Sequence, residues 1–267
     1  MMTKSKGIDV SYHNGIIEWE TVRKYVNFAM IRAGYGRGNI DEKFYRNSVE
    51  CERNNIPYGY YWFSYAYTPE MAIMEADYCC DLITPFSPTY PIAFDFEYGS
   101  IEYAKRHGYN LTAEDVVAIC TAFLNRVEER GYYAMLYSNI DFLERYNLKS
   151  LTDRYALWIA KWSNTPPSSY KYGIWQYGIG EIEGVGKVDM NVCVKDYDKI
   201  ISSLYKFAND KKISIALSMG ESWWNKYVLL AKRILVGIYS DLEAQEICVH
   251  NGMDYDIVEK IMDVIYE

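Results

Sequence analysis

Short strand-like runs alternate with helix-like stretches from residue 6 to about residue 207, and that order leaves few folds open. "KGIDVSY" (6–12) reads as a strand, the amphipathic "IEWETVRKYV" (17–26) as a helix, and "FAMIRAGYG" (28–36) as a second strand. The helical "EKFYRNSVECERNN" leads to "PYGYYWFSYA" (57–66), where Pro57 opens a strand. Thr68, Pro69 and Glu70 supply an N-cap, a first-turn proline and an early acid for the next helix. "PIAFDFEYGS" (91–100) follows as a strand, and Thr112 with Asp115 forms a capping box before "VVAICTAFLNRVEERG", which Gly131 ends. Then come "YYAMLYSN" (132–139), "YALWIAKW" (155–162), "YGIWQYG" (172–178) and "GKVDMNV" (186–192), strands with little helix between the last three. A βαβα order that turns β-rich near its end predicts a parallel barrel whose last turns have lost their helices.

At 267 residues the chain suits one αβ barrel, or a domain of about 200 residues with a small appendage. The texture changes after Phe207. We expect a barrel over 1–207, a linker over 208–220, and a helical domain over 221–267, with Gly237 and Gly252 breaking it into three short helices.

Acids stand where that barrel should be apolar. In "PIAFDFEYGS", Ala93, Asp95 and Glu97 share one face and Ile92, Phe94 and Phe96 the other, with the two acids roughly 6.6 Å apart along the backbone. A strand-end pair neutralised by Lys or Arg would explain one such D-x-E. Asp9, between Ile8 and Val10, and Asp189, between Val188 and Met190, repeat the arrangement. The first and last strands of a closed barrel are neighbours, so the four acids converge at one end, and their repulsion raises the pKa of at least one. A carboxylic acid held protonated beside ionised carboxylates equips a chain for glycoside hydrolysis.

Other chemistries fit less well. His13, His107 and His250 are far apart, no phosphate-binding glycine loop accompanies the acids, and no G-x-S-x-G occurs, so we expect no metal, no cofactor and no serine nucleophile. A net charge of −8 argues against nucleic acid. The N-terminus lacks the apolar core of a signal peptide and no apolar run is long enough to span a bilayer, which predicts a cytoplasmic product with no membrane insertion. The six cysteines show no metal-type spacing and read as reduced core thiols. Among the 28 tyrosines and 7 tryptophans, most rings serve packing, yet flat amphipathic rings also suit sugar faces.

At these residues the sequence resembles glycoside hydrolase family 25, the Chalaropsis-type N-acetylmuramidases. The resemblance spans about 6–207 and rests on "GIDVSYHNG", "AMIRAGYG", "GYYWFSYA", "FDFE", "LYSN", "LWIAKW", "IWQYG" and "VDMN", in family order. Family 18 chitinases carry two further acids upstream of their D-x-E, where this chain has Tyr90 and Ala93. The resemblance implies an α/β fold, an irregular eight-stranded TIM-like (β/α) barrel, to which the sequence pattern adds a small three-helix C-terminal domain. It also implies cleavage of the β-1,4 bond between N-acetylmuramic acid and N-acetylglucosamine in bacterial peptidoglycan. Matched by motif, Glu97 is the general acid, Asp95 its partner at the reaction centre, and Asp9 and Asp189 are supporting acids. Tyr61, Tyr137, Trp158 and Gln176 match rim positions that contact sugar. Trp62 stands where many members have histidine. A retaining, an inverting or a substrate-assisted outcome remains open, the last favoured because the substrate carries a 2-acetamido group.

The tail resembles one diverged copy of the three-helix cell-wall-binding repeats at the end of some pneumococcal phage lysozymes, through "NGMDYDIVEKIMDVI" with Asp254 as a cap. "GIYSDLEAQ" replaces the glycine- and asparagine-rich turn of those repeats. Binding to the wall and homo-oligomerisation through 221–267 are both expectations for it. Together these features describe an endolysin, made in the cytoplasm and reaching the wall through a membrane lesion. The rival expectation is a non-catalytic peptidoglycan-binding or scaffold protein on the same barrel.

Overall fold

The structure is a computed structural model that describes residues 4–84, 86–201, 230, 240–250, 252–256 and 258–259. The chain divides into two compact units, Met1–Ile201 and Ser202–Glu267.

The first unit is a closed barrel. Its strands are β1 (Ser5–Val10), β2 (Phe28–Tyr35), β4 (Tyr58–Phe63), β5 (Ile92–Asp95), β6 (Ala134–Asn139), β7 (Ala156–Ala160), β8 (Ile174–Ile182) and β9 (Gly186–Cys193); β3 (Asn39–Ile40) is a short flap paired with β2 alone. Neighbours from β1 through β8 run parallel, whereas β9 runs antiparallel to both β8 and β1 and closes the ring. The expected all-parallel barrel is corrected at this strand. Only residues 183–185 join β8 to β9, too few for the crossover of a dozen or more residues that a parallel partner needs.

Helices cover the outside. They are α1 (Trp19–Val22), α2 (Phe44–Arg53), α3 (Pro69–Ile83), α4 (Tyr98–Arg106), α5 (Ala113–Glu129), α6 (Ile140–Arg145) and α7 (Lys149–Arg154). The α1 segment is shorter than expected because its end tightens into i, i+3 turns, Lys24 N donating to Thr21 O at 3.1 Å. The start signals behave as expected: Met71 N donates to Thr68 Oγ1 at 3.3 Å, and Thr112 and Asp115 exchange backbone-to-side-chain bonds at 3.2 and 2.9 Å. Outward strand residues such as Ile8, Ile31, Tyr60 and Phe94 join the helices in one core; Tyr60 Oη donates to Ser48 Oγ of α2 at 3.0 Å, and Phe94 stacks on Phe123 of α5 with centroids 4.1 Å apart. Burying such a side chain contributes about 1.5–3 kcal/mol. Trp62 lies in this outer core, 1% exposed. All six cysteines are free and buried.

A plug of rings fills the N-terminal end of the barrel. Phe28 stacks on Tyr90 at 4.6 Å, and Tyr197, in the helical turn after β9, lies 5.7 Å from both Tyr90 and Tyr133. Glycines make room: a Cβ at Gly7 would fall in the Phe28 ring, and one at Gly173 on the Tyr197 hydroxyl. Gly173→Ala is therefore expected to destabilise the barrel by about 1–3 kcal/mol through overpacking, read as a lower thermal midpoint. An unchanged midpoint would mean that Tyr197 moves aside freely and plugs nothing.

Of the second unit, helix α8 (Asp241–His250) is described, opened by a capping box in which Glu243 N donates to Ser240 Oγ at 3.3 Å and Ser240 N to Glu243 Oε2 at 2.8 Å. Asp254 accepts the Asp256 amide at 3.1 Å, as a cap does. The linker expected over 208–220 and most of the three tail helices lie outside the described residues.

Candidate active site

Strand alternation turns Asp9 into the barrel while Ile8 and Val10 pack outside it. Asp189 of β9 sits directly opposite Asp9 in the antiparallel register, so the two acids that the sequence separates by most of the barrel are cross-strand neighbours. On β5 the strand itself ends at Asp95. Glu97 then serves as the N-cap of α4 with extended backbone (φ −129°, ψ −171°), which carries the alternation on by one step. Its amide donates to Ser100 Oγ at 3.2 Å, and Ser100 Oγ donates to Ser64 O at 2.7 Å. Ser64 N in turn donates to Asp95 O at 2.9 Å. The loop after β4 thus grips the backbone on both sides of Phe96. That loop is itself held by Glu75 of α3, fully buried, whose Oε1 accepts Tyr65 N at 3.1 Å.

The acids are buried and crowded, and both facts raise their pKa values. Asp9 is 9% exposed; its carboxyl is pushed up to about 7 by burial first and the Asp189 charge second, against two amides that donate to its Oδ2, Gln176 at 3.0 Å and Asn191 at 2.7 Å. Asp95 is raised well above the carboxylate range by burial and then by the Glu97 charge, and its buried Oδ1 has no hydrogen-bond partner. Burial also raises Glu97 and Asp189. Each of these carboxyls keeps its proton to higher pH than a free one does, and ionisation of Glu97 holds back that of Asp95. No group of three or more His, Cys, Asp or Glu among the described residues could hold a metal ion.

Residues 8–185 match the family described as Glycosyl hydrolases family 25, which is more than half of the chain. The chain belongs to glycosyl hydrolase family 25. No curated protein matches it. Among solved structures it is similar to the modular autolysin LytC from Streptococcus pneumoniae, in complex with a synthetic peptidoglycan ligand, with 28% identity and TM-score 0.62, covering 71% of this chain and 46% of that one. This family 25 chain thus spans less than half the length of that autolysin. The catalytic domain of endolysin ply40 from bacteriophage P40 of Listeria monocytogenes (22% identity, TM-score 0.62, 75% of this chain and 98% of that one) has the same barrel. So does the bacterial lysozyme from Streptomyces coelicolor (21% identity, TM-score 0.63, 76% and 97%).

The side chains expected to contact sugar divide in this family 25 barrel. Tyr61 and Tyr137 are partly exposed. Gln176 is 5% exposed and bridges the site, donating to Asp9 and accepting from Tyr137 Oη at 3.1 Å and Trp162 Nε1 at 3.2 Å. Trp158 is 1% exposed; its indole N–H donates to Asn191 at 2.8 Å, so it supports the amide that holds Asp9 and offers no surface to a sugar. Three residues were missed. Asn191 shares a face with Asp189, two residues away, and period two was the signal for it. Trp162, 60% exposed over Gln176, had none beyond its type. Arg32, in register with Tyr61, is fixed by Asp41 at 2.7 Å, and its charge opposes the rise at Asp95; its place on the same face as Met30 was legible.

These raised values fix the sign of a stability effect. Between about pH 4 and 7 the folded chain keeps an Asp9 proton that the unfolded chain has lost, so stability falls as pH rises through that window. At about 1.4 kcal/mol per pH unit, the fall from Asp9 alone reaches about 4 kcal/mol at most. Asp9→Asn should flatten it, leaving the variant more stable than the parent at pH 7.5 and closer to it at pH 4.5 in urea unfolding. Parallel curves would show that Asp9 is ionised throughout.

Proposed function

We propose that the chain is a peptidoglycan hydrolase that cleaves the β-1,4 bond between N-acetylmuramic acid and N-acetylglucosamine. The observation that carries this reading is the Asp95–Glu97 pair, two raised carboxyls two residues apart beside two more acids, Asp9 and Asp189, in cross-strand register. Glu97, the more exposed of the two, delivers the proton to the leaving oxygen. Departure of that proton leaves Glu97 ionised beside Asp95. The 2-acetamido group of such a substrate favours substrate assistance, with Asp95 orienting that group as it attacks the anomeric carbon. Asp189, joined by Asp9 once the pH exceeds the raised Asp9 pKa of about 7, adds negative potential under the positive charge that develops there.

In this reading the enzyme is an endolysin, kept reduced in the cytoplasm and reaching the wall through a membrane lesion; the free, buried thiols agree with such a compartment. No helix among the described residues is long and apolar enough to cross a membrane. The tail over 221–267 serves as a wall-binding or oligomerisation unit, raising local enzyme without touching chemistry.

Reducing-end analysis of digested walls tests the activity. New muramic acid ends support the muramidase. New glucosamine ends would make the enzyme a glucosaminidase, and no new ends would leave the non-catalytic wall binder.

A further inference from the structure

Beside the acids, a row of tyrosines runs away from the site along the same end of the barrel. Tyr35 ends β2, Tyr65 and Tyr67 follow β4, Tyr103 lies on α4, and Tyr109 follows that helix. Each ring touches the next: Tyr35 to Tyr65 edge-on at 6.2 Å, Tyr65 to Tyr103 stacked at 4.5 Å, Tyr103 to Tyr67 at 6.5 Å and Tyr67 to Tyr109 at 4.3 Å. The row joins the catalytic end at two places. Phe63, the register partner of Asp95, lies 5.2 Å from Tyr65, and the Arg32 guanidinium stands 5.6 Å over Tyr35.

Packing alone does not explain these residues. All five are partly or well exposed, Tyr109 by 45%. Among the described residues none of their hydroxyls bonds to protein, whereas Tyr58, Tyr60 and Tyr155 bond theirs to Glu52, Ser48 and Asn125. A continuous strip of half-exposed rings edged with free hydroxyls matches one ligand class well: pyranose rings, apolar on their faces and hydroxylated at their rims. An enzyme that cuts inside a polymer meets further sugars on either side of the cleaved bond.

We propose that Tyr35, Tyr65, Tyr67, Tyr103 and Tyr109 form a glycan-binding track that takes the sugar rings of the substrate strand beyond the disaccharide at the cleaved bond. This rests on the muramidase reading above and adds where the rest of the strand lies. Energy from such remote contacts holds a long strand in place and is absent for a short one.

The test compares the parent with the double variant Tyr67→Ala/Tyr109→Ala on two substrates, long peptide-free glycan strands and an oligosaccharide that spans only the cleaved bond. On long strands kcat/KM should fall about tenfold, as expected for loss of one stacked ring contact, and on the short substrate it should stay within about twofold of the parent. Tyr67→Phe/Tyr109→Phe, which keeps the rings, should retain most of the long-strand rate. Equal losses on both substrates would make the tyrosines a structural brace and overturn the track, as would no loss on either. A parent that cuts neither substrate sinks the muramidase reading instead. Affinity for long strands, measured in a Glu97→Gln background without turnover, then decides separately: about tenfold weaker binding without the two tyrosines supports the track, and unchanged binding overturns it.

Discussion

Glu97→Gln should lower kcat by about a thousandfold while the barrel stays folded, the size expected for loss of a positioned general acid. The amide keeps the shape of the side chain and has no acidic proton to give. The backbone bonds that seat the residue, Glu97 N to Ser100 Oγ and Ser100 Oγ to Ser64 O, do not involve the carboxyl and survive the change. Thermal unfolding and circular dichroism of the variant should therefore match the parent, so that a lost rate reports chemistry. Activity within about tenfold of the parent would be too small a loss for a general acid and would remove Glu97 from that role.

The second large effect is expected at Asp95. Asp95→Asn should reduce kcat by about a hundredfold with little change in KM, because a charge at the reacting centre acts on the transition state more than on bound substrate. The pH profile gives a sharper reading. In the parent, the Asp95–Glu97 pair loses its two protons in separate steps, and the last is held tightly because its departure leaves two buried negative charges side by side. Asparagine removes one of those charges, so Glu97 gives up its proton at lower pH. The alkaline limb of kcat/KM should then move down the pH axis, and the acid limb that belongs to the pair should vanish. An alkaline limb that stays in place would show that another group sets it, and a pure KM effect would make Asp95 a binding residue.

Much of this site could be read from period two alone. Asp9, Asp95 and Asp189 each lie between outward apolar residues, and a closed barrel makes its first and last strands neighbours, so the convergence of acids followed before any coordinates. The step at Glu97 was harder to see. "EYGSIEYAKR" has a glycine in its first turn and weak apolar spacing, so α4 and its cap at Glu97 did not stand out from a continuing strand. The direction of β9 was legible in the short link through Gly184, which cannot hold a crossover. Trp158 shows a limit of another kind. Alternation gives its side of the strand, inward, but not its depth, which depends on how far each strand is staggered against its neighbours around the barrel. A residue that motif order sets among sugar contacts therefore lies one layer in, holding Asn191.

The β9 closure also has a consequence in time. Asp9 is held by Asn191, 182 residues further along the chain, and by Gln176, 167 residues away. A chain leaving the ribosome N-terminus first presents β1 long before either partner exists. Until β9 has been made and has docked between β8 and β1, the ring is open, Asp189 is not beside Asp9, and the four acids feel little of the repulsion that later raises their pKa values. The unfinished polypeptide thus has no assembled acid cluster, and the contacts with the widest sequence separation, which are the slowest to form, are the ones that complete it.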